Sequence, residues 1–576
     1  MVKTNGGNGR SFRPVLLFLV FLVLLAAVIS RLFWLQVMAY DHYRDLAENQ
    51  HLLSETLLPT RGEILISEGQ SGNLVAAVTN IEKNLVFAEP QKVVDPAKAA
   101  SALAPILDLP QKEILGKVSD RSRKWIVLKK EVLESDSQKI TALELEGIGL
   151  EPQTFRRYPE QVFASQVLGF LGFSGDLRVG QYGVEEYFEK ELAGLSGQLT
   201  LDKDAAGRWI TGGFRELMPA QHGADVILTI DRGIQYKTEE VLKTTVESTQ
   251  ADSGSIVIVS PKTGAILALA NYPSFDPNNF NKVEEPSAFR NSAASDAYEP
   301  GSVFKAITMA AGLDAAAVTP DETYEYVGFV ALDDFVIRNA QDKTYGVQTM
   351  TQVLEQSINT GAIHVLQKTG YDKFLEYIQK FGFGSPTGVT LPAEVGGDIS
   401  NLTDRGGDVY NATASFGQGI TVTSLQLAQA FAAIANQGKL VPLRIADSLR
   451  YADGNIQELK ASETREVISS KTAATIGAML VSVVEKGHGK RAGVPGYYIG
   501  GKTGTAQMAR SDGRGYDSEK TIGTFAGFGP AEDPQFVMVV KIVNPKTVQF
   551  AESTAAPAFG QLAQFLVNYL RIPPTR

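Results

Sequence analysis

The chain of 576 residues sets 54 Lys and Arg against 64 Asp and Glu, a net charge of −10, with five histidines and no cysteine. Without cysteine there is no disulfide, no thiolate nucleophile and no Cys-ligated zinc or iron–sulfur site. His42, His51, His222, His364 and His488 are scattered, with no H-E-x-x-H pairing, so no metal and no cofactor is expected. The acidic balance argues against a nucleic-acid partner, which needs a Lys/Arg excess to neutralise phosphates.

Residues 15–29 form an unbroken apolar run that resumes after Ser30 and Arg31. About 24 residues make roughly 36 Å of helix, enough to cross a hydrocarbon core of ~30 Å. Lys3, Arg10 and Arg13 precede it, which places the N-terminus in the cytoplasm and the rest of the chain outside. Arg31 snorkels toward the headgroups, with Trp34 and Tyr40 as an aromatic belt. A cleaved signal peptide is the competing reading, but no A-x-A site follows and the run continues. No second stretch approaches membrane length, so a single-pass protein with one large external portion is expected.

From residue 40 to about 228 the sequence mixes short β-rich runs, 85–88 and 125–128, with charged helical stretches such as 185–192, an α+β pattern. Residues 225–231 read as a strand followed by a helix through Ser248. Strand, turn and strand then follow at 255–260, 261–264 and 265–270. Helical patterns follow at 305–313, 350–369, 424–437 and 472–485, with late strands at 521–527 and 535–543 and a closing helix near 558–570. This is an α/β domain with an antiparallel sheet flanked by helices.

Several short motifs compete. The chain holds three K-T-G strings, two S-x-N strings, one S-x-x-K and one full P-loop string, Gly496 to Thr503. A P-loop needs a strand before it and a helix after its lysine. Residues 497–499 instead look like strand inside the supposed loop, and the polar, glycine-rich stretch with Gly504, Gly513 and Gly515 opens no helix. Ser302-Val303-Phe304-Lys305 follows Glu299-Pro300-Gly301 and leads into an apolar helical run, placing Ser302 near a helix start. Spacing i, i+3 puts Lys305 on the same face. A partly desolvated lysine can take the proton that a serine must lose to become a nucleophile, although the pattern also suits an N-cap serine with a solvated lysine.

Ser357-Ile358-Asn359 sets a hydroxyl and a carboxamide together inside the helical stretch 350–369, whereas Ser71-Gly72-Asn73 reads as a loop. Lys262-Thr263-Gly264 reads as a hairpin turn and Lys368-Thr369-Gly370 as a helix end. Lys502-Thr503-Gly504-Thr505 follows Gly500-Gly501 on a strand, where glycines let a substrate backbone approach.

S-x-x-K, S-x-N and K-T-G in this order resemble the class B penicillin-binding proteins, the D,D-transpeptidases of bacterial cell-wall synthesis. The likeness extends through 290–302, Phe416-Gly417-Gln418-Gly419, 501–507 and, ahead of these, residues 31–50, 167–170 and 182–187. Two departures are Ala306, where a proline often follows the lysine, and Ile66 and Ser67, where an acidic–basic pair is usual. The resemblance implies a cytoplasmic tail at 1–14, a transmembrane helix at 15–38, an α+β pedestal (dimerisation-like) at 39–222 and a penicillin-binding, serine β-lactamase-like transpeptidase domain at 223–576.

It also implies roles. Ser302 attacks the carbonyl between the terminal D-alanines of a stem peptide, with Lys305 as base. Ser357 relays a proton to the leaving amine, Asn359 holds the substrate amide, and Lys502 and Thr503 bind its carboxylate. The N–H groups of Ser302 and Thr505 form the oxyanion hole, and Thr503, Gly504 and Thr505 bind the substrate. An amine from a neighbouring stem peptide resolves the acyl-enzyme, and β-lactams trap it covalently. A membrane SEDS-type glycan polymerase and other division or elongation proteins are the implied partners. The length and lack of further C-terminal modules lean to septal over side-wall synthesis. Two rivals, a penicillin-sensing receptor and a non-catalytic scaffold, fit less well: few residues precede the span, and all three motifs are intact.

Overall fold

The apolar run folds as a helix, Arg13–Phe33, with Pro14 in its first turn, and continues through a π-helical turn, Trp34–Met38. Together these 26 residues are long and apolar enough to cross a membrane, and the Arg31 guanidinium lies 4.8 Å from the centre of the Trp34 ring. The structure, a computed structural model, describes residues 12–43, 52–69, 72–175, 177–203, 210, 215–326, 328–332, 335–403, 407–459, 463–510 and 515–576. Lys3, Arg10 and most of the expected cytoplasmic tail lie outside the described residues, as do His51, Ser71 and Gly513.

The chain divides into two compact units, residues 1–60 with 194–222, and residues 61–193 with 223–576. Beyond the N-terminal helix, the first unit contains a three-stranded antiparallel sheet of Leu52–Leu57, Gly197–Asp202 and Arg215–Met218.

The second unit contains a seven-stranded sheet in which Ile64–Glu68 pairs in parallel with Asp225–Asp231 and antiparallel with Asn73–Ala88. The short run expected at 85–88 is thus the end of a 16-residue strand. Beside this sheet lies a buried charge cluster. The Glu185 carboxylate accepts from Arg61 at 2.5 and 2.9 Å, from Arg156 Nε at 2.7 Å and from Tyr158 OH at 3.1 Å. Burial pushes the Glu185 carboxyl upward, and the two guanidinium groups more than offset that, holding it below the ordinary glutamate range. Of the two departures in this region, Ile66 is buried in the core and Ser67 Oγ donates to Gly69 O at 3.2 Å.

The five-stranded sheet of the second unit is wholly antiparallel, built from β1 (Ser253–Val259), β2 (Ile266–Tyr272), β3 (Gly500–Ala509), β4 (Tyr516–Gly529) and β5 (Phe536–Val543), in the order β2-β1-β5-β4-β3. Its central strands are apolar at nearly every position because both faces are covered. Ile256, Ile258, Met538 and Val540 pack with Ile234, Val241 and Leu242 of α1 (Arg232–Thr249) and with Phe559 and Leu562 of the closing helix. Their neighbours Val257, Val259, Val537 and Val539 turn to the opposite core.

That opposite core contains α2 (Lys305–Asp314), α3 (Met350–Glu355), α4 (Asn359–Thr369), α5 (Ser424–Ala435) and α6 (Ser470–Lys486), and α7 (Ala555–Tyr569) is the closing helix. α5 is buried along its length and starts with a capping box between Thr423 and Gln426. Fully burying Leu425, Leu427 and Phe431 stabilises the fold by about 1.5–3 kcal/mol each. One expectation is corrected: 350–369 is two helices, broken at 356–358, where Ser357 takes a left-handed φ of 57°. The periodic pattern runs across the break because Met350, Val353, Leu354, Ile358 and Ile363 are all buried.

Candidate active site

Ser302 lies in a 3-10 turn, Gly301–Phe304, that runs directly into α2, so Lys305 follows one turn later at the helix start. The turn is held by close backbone packing. Gly301 N–H donates to Gly417 O at 3.0 Å, and a Cβ on Gly417 would come within 2.1 Å of Gly301 O. Glu299 anchors the preceding residues, accepting from Gly419 N–H at 2.8 Å and Tyr516 OH at 2.9 Å.

The Lys305 amine is 2.9 Å from Ser302 Oγ, 2.5 Å from Ser357 O, 2.7 Å from Asn359 Oδ1 and 3.2 Å from Ser357 Oγ. Lys502 Nζ is 3.0 Å from both Ser357 Oγ and Thr503 O. The break between α3 and α4 is what permits this. A continuous helix would use the Ser357 carbonyl in its own ladder, whereas here that oxygen turns to Lys305. The left-handed φ of Ser357 is strain of ~1–3 kcal/mol held at the site.

Both lysines are buried, Lys305 at 1% exposure and Lys502 at 0%. Burial, and then the neighbouring Lys502 charge, push the Lys305 amine well below the ordinary lysine range. Burial alone lowers Lys502 to about 7. A neutral amine has two N–H donors and one lone pair. Ser357 O and Asn359 Oδ1 can only accept, so they take the two donors, and the lone pair is left for the Ser302 hydroxyl. With the amine in that neutral form the hydroxyl would donate to Lys305, the arrangement a general base requires.

Lys502, Thr503, Gly504 and Thr505 all lie on the edge strand β3. Thr503 and Thr505 line a cleft of about 550 Å³ together with Ser302, Ser357 and Asn359. Gly504 does not line it. A Cβ there would meet Pro300 O at 2.6 Å and Val303 N at 2.9 Å, so this glycine lets the strand pack on the Ser302 turn. The expectation that Gly500 and Gly501 admit a substrate backbone is corrected in the same way. Their side-chain space is filled by the rings of Phe528 and Phe525 from the neighbouring strand.

Over residues 254–564 the chain matches the penicillin binding protein transpeptidase domain, and over 56–228 the penicillin-binding protein dimerisation domain. It is 33% identical over 572 residues to stage V sporulation protein D of Bacillus subtilis, covering 98% of this chain and 87% of the relative. The chain belongs to the penicillin-binding protein transpeptidase family. Another relative, a probable peptidoglycan D,D-transpeptidase, PbpC of Pseudomonas aeruginosa, is 30% identical and covers 98% of this chain and 96% of its own length. Among solved structures, penicillin binding protein 3 of Mycobacterium tuberculosis complexed with aztreonam superposes with a TM-score of 0.70 at 26% identity, over 91% of this chain and 98% of that one. A dimerisation domain ahead of the transpeptidase domain agrees with the class B reading.

The family motifs are separated cleanly from their look-alikes. Lys262 is exposed in a turn and pairs with Asp533 at 2.6 Å, and Lys368 is exposed at the end of α4 near Glu322 at 3.2 Å. In the P-loop string, residues 496–499 form a turn and an irregular segment instead of the strand expected at 497–499, and strand begins at Gly500, running through the buried Lys502 where a P-loop needs a helix. Ala306, where proline often stands, is fully buried within α2 and leaves the Lys305 geometry intact.

Pattern reading missed part of the cleft wall. Gln341, Gln356, Gln507, Gln549, Lys343, Tyr345, His488 and Glu552 also line it. They come from separate segments, and nothing in their spacing marks them as neighbours.

Proposed function

We propose that this chain crosslinks peptidoglycan stem peptides through an acyl-enzyme on Ser302. The observation that carries the reading is the buried Lys305 amine 2.9 Å from Ser302 Oγ, held there by Ser357 O and Asn359 Oδ1. In the first half-reaction Ser302 Oγ attacks the carbonyl between two terminal D-alanines as Lys305 takes its proton. The proton passes through Ser357 Oγ, which touches both lysines, to the departing amine. Asn359 Oδ1 holds Lys305, while its amide Nδ2 donates to Arg338 O at 3.1 Å. Lys502 and Thr503 receive the substrate carboxylate, and the N–H groups of Ser302 and Thr505 meet the oxyanion, each such donor worth ~3 kcal/mol. In the second half-reaction an amine replaces the serine. Glutamine amides along the cleft suit the backbone of a peptide. A penicillin that acylates Ser302 leaves no departing amine and blocks the site.

The helix Arg13–Met38 anchors the protein, with the N-terminus cytoplasmic, residues 39–222 as pedestal and residues 223–576 as the catalytic portion outside. A SEDS-type glycan polymerase and other divisome or elongasome proteins are its proposed partners, and the septum its proposed place of work. A fluorescent fusion at midcell would support that location; one spread along the side wall would count against it. Incubating the full-length protein in detergent with a stem pentapeptide and an amine acceptor tests the activity. Crosslinked product with release of one D-alanine is expected. D-alanine release with hydrolysed peptide alone would mark a carboxypeptidase instead.

A further inference from the structure

The described residues lining the cleft include a His–Glu pair that acylation does not use. His488 Nδ1 lies 2.9 Å from Glu552 Oε2, both residues line the cleft, and their side chains are 40% and 45% exposed. Each partner is tied to a different wall of the catalytic site. His488 N–H donates to Glu355 O at 3.3 Å, two residues before Ser357, and a Cβ on the adjoining Gly487 would come within 2.4 Å of that same oxygen. Glu552 follows Ala551, whose N–H donates to Thr505 Oγ1 at 3.1 Å. The pair therefore joins the turn carrying Ser357 to the strand carrying Thr505.

Glu552 is the only carboxylate among the described residues that line the cleft. The other lining groups are hydroxyls, amides, aromatic rings, the Lys343 ammonium and His488. A carboxylate that lines the cleft with 45% of its side chain exposed attracts a cation. On the reading of Ser302 as the acylated residue, the reaction brings one cation here: a primary amine, with an ordinary pKa of ~10, arrives as an ammonium. Water, the competing nucleophile, arrives neutral.

We infer that Glu552, oriented by His488, is the specificity-determining residue that gathers the amine-bearing acceptor and favours crosslinking over hydrolysis. The ammonium docks on the Glu552 carboxylate and loses one proton to solvent. The free amine then attacks the ester carbonyl carbon. A C–N bond forms, the bond from that carbon to Ser302 Oγ breaks, and the second amine proton returns to Ser302 Oγ. Glu552 leaves the reaction unchanged, and His488 acts as a positioning residue that holds the carboxylate toward the cleft.

The test uses the full-length chain in detergent with a thiolester of an N-acyl-D-alanine as acyl donor. The acyl-enzyme is offered Nα-acetyl-L-lysine amide, a cationic amine, in competition with methanol, a neutral nucleophile. In the wild type the amine product exceeds the methyl ester at equal nucleophile concentration. Glu552→Gln lowers the amine-to-methanol ratio by about two- to fivefold, the size of a half-exposed charge contact, and Glu552→Asp restores most of it. His488→Asn gives an intermediate loss. A structural role alone would slow both products together and leave their ratio fixed, so an unchanged ratio in Glu552→Gln overturns the inference. Should Glu552→Gln accumulate no acyl-enzyme, the ratio in His488→Asn decides in the same way. Failure of the wild type to form any acyl-enzyme would overturn the Ser302 reading, and this inference with it.

Discussion

Replacing Lys502 by methionine removes a buried amine and leaves a side chain of similar length, and its effect on stability should change with pH in a calculable way. The folded chain holds Lys502 at about 7, whereas the unfolded value is ~10.4. Between those limits the unfolded chain binds a proton that the folded chain does not, so this position makes stability rise with pH, by at most ~1.4 kcal/mol per unit. At pH 7 the burial of the amine costs about 4 kcal/mol and at pH 9 about 2 kcal/mol. Methionine removes that cost but takes one partner from Ser357 Oγ, which keeps Lys305, and one from Thr503 O, a loss of up to ~1–3 kcal/mol for a group left unpaired. The sign of the net change at pH 7 is therefore a contest between comparable quantities, while its pH dependence is not. Relative to the chain that keeps Lys502, Lys502→Met should lose about 2 kcal/mol of its advantage between pH 7 and pH 9. Loss of the Lys502 charge also shifts the Lys305 amine back upward, so the comparison is made in a Lys305→Met background, where that second titration is absent. Denaturation of the two full-length proteins at both pH values gives the comparison. A stability difference that stays constant between them would mean that Lys502 remains an ammonium in the folded protein, and the electrostatic account of the site would fail.

The three K-T-G strings should separate by mutation. Lys262→Ala and Lys368→Ala, at exposed ion pairs, should shift stability by no more than ~0.5 kcal/mol and leave penicillin acylation intact. Lys502→Ala should slow acylation about ten- to a hundredfold, as measured by second-order acylation rates. Glu185→Gln should destabilise the protein by about 3–5 kcal/mol, because Arg156 would be left as a buried charge without its carboxylate and Arg61 with Glu189 alone; a thermal melt within a degree of wild type would refute the cluster's role. The mature protein should begin at Met1 or Val2 and stay in membranes through a high-salt wash, and an N-terminus found near Arg31 would show that the segment is cleaved.

Much of the fold was legible because the sequence obeys simple periodicities. β1 and β5 are short apolar runs bounded by turn residues, and α5 and α6 carry helical spacing with caps at Thr423 and Ser469. Ser302 and Lys305 were legible because one local turn carries both. The break at Ser357 was not, since a left-handed φ on a serine leaves no trace in a pattern whose apolar positions remain in phase. The roles of Gly500, Gly501 and Gly504 were legible only as a need for space, and what fills it, Phe528, Phe525 and the Ser302 turn, comes from other segments. His488 and Glu552 meet across 64 residues of chain, a pairing that only the packing of α6 and the turn before α7 brings about.

The central claim is that Ser302, activated by Lys305, is the residue that becomes acylated. Treating the full-length protein with a penicillin and mapping the adduct by peptide mass tests it most directly. Trypsin cuts after Arg290 and Lys305, so the account predicts the full mass increment on the peptide that begins at Asn291 and ends at Lys305, with fragment ions placing it on Ser302 and no adduct in Ser302→Ala. An adduct on any other peptide, or labelling of Ser302→Ala at the wild-type rate, would contradict it.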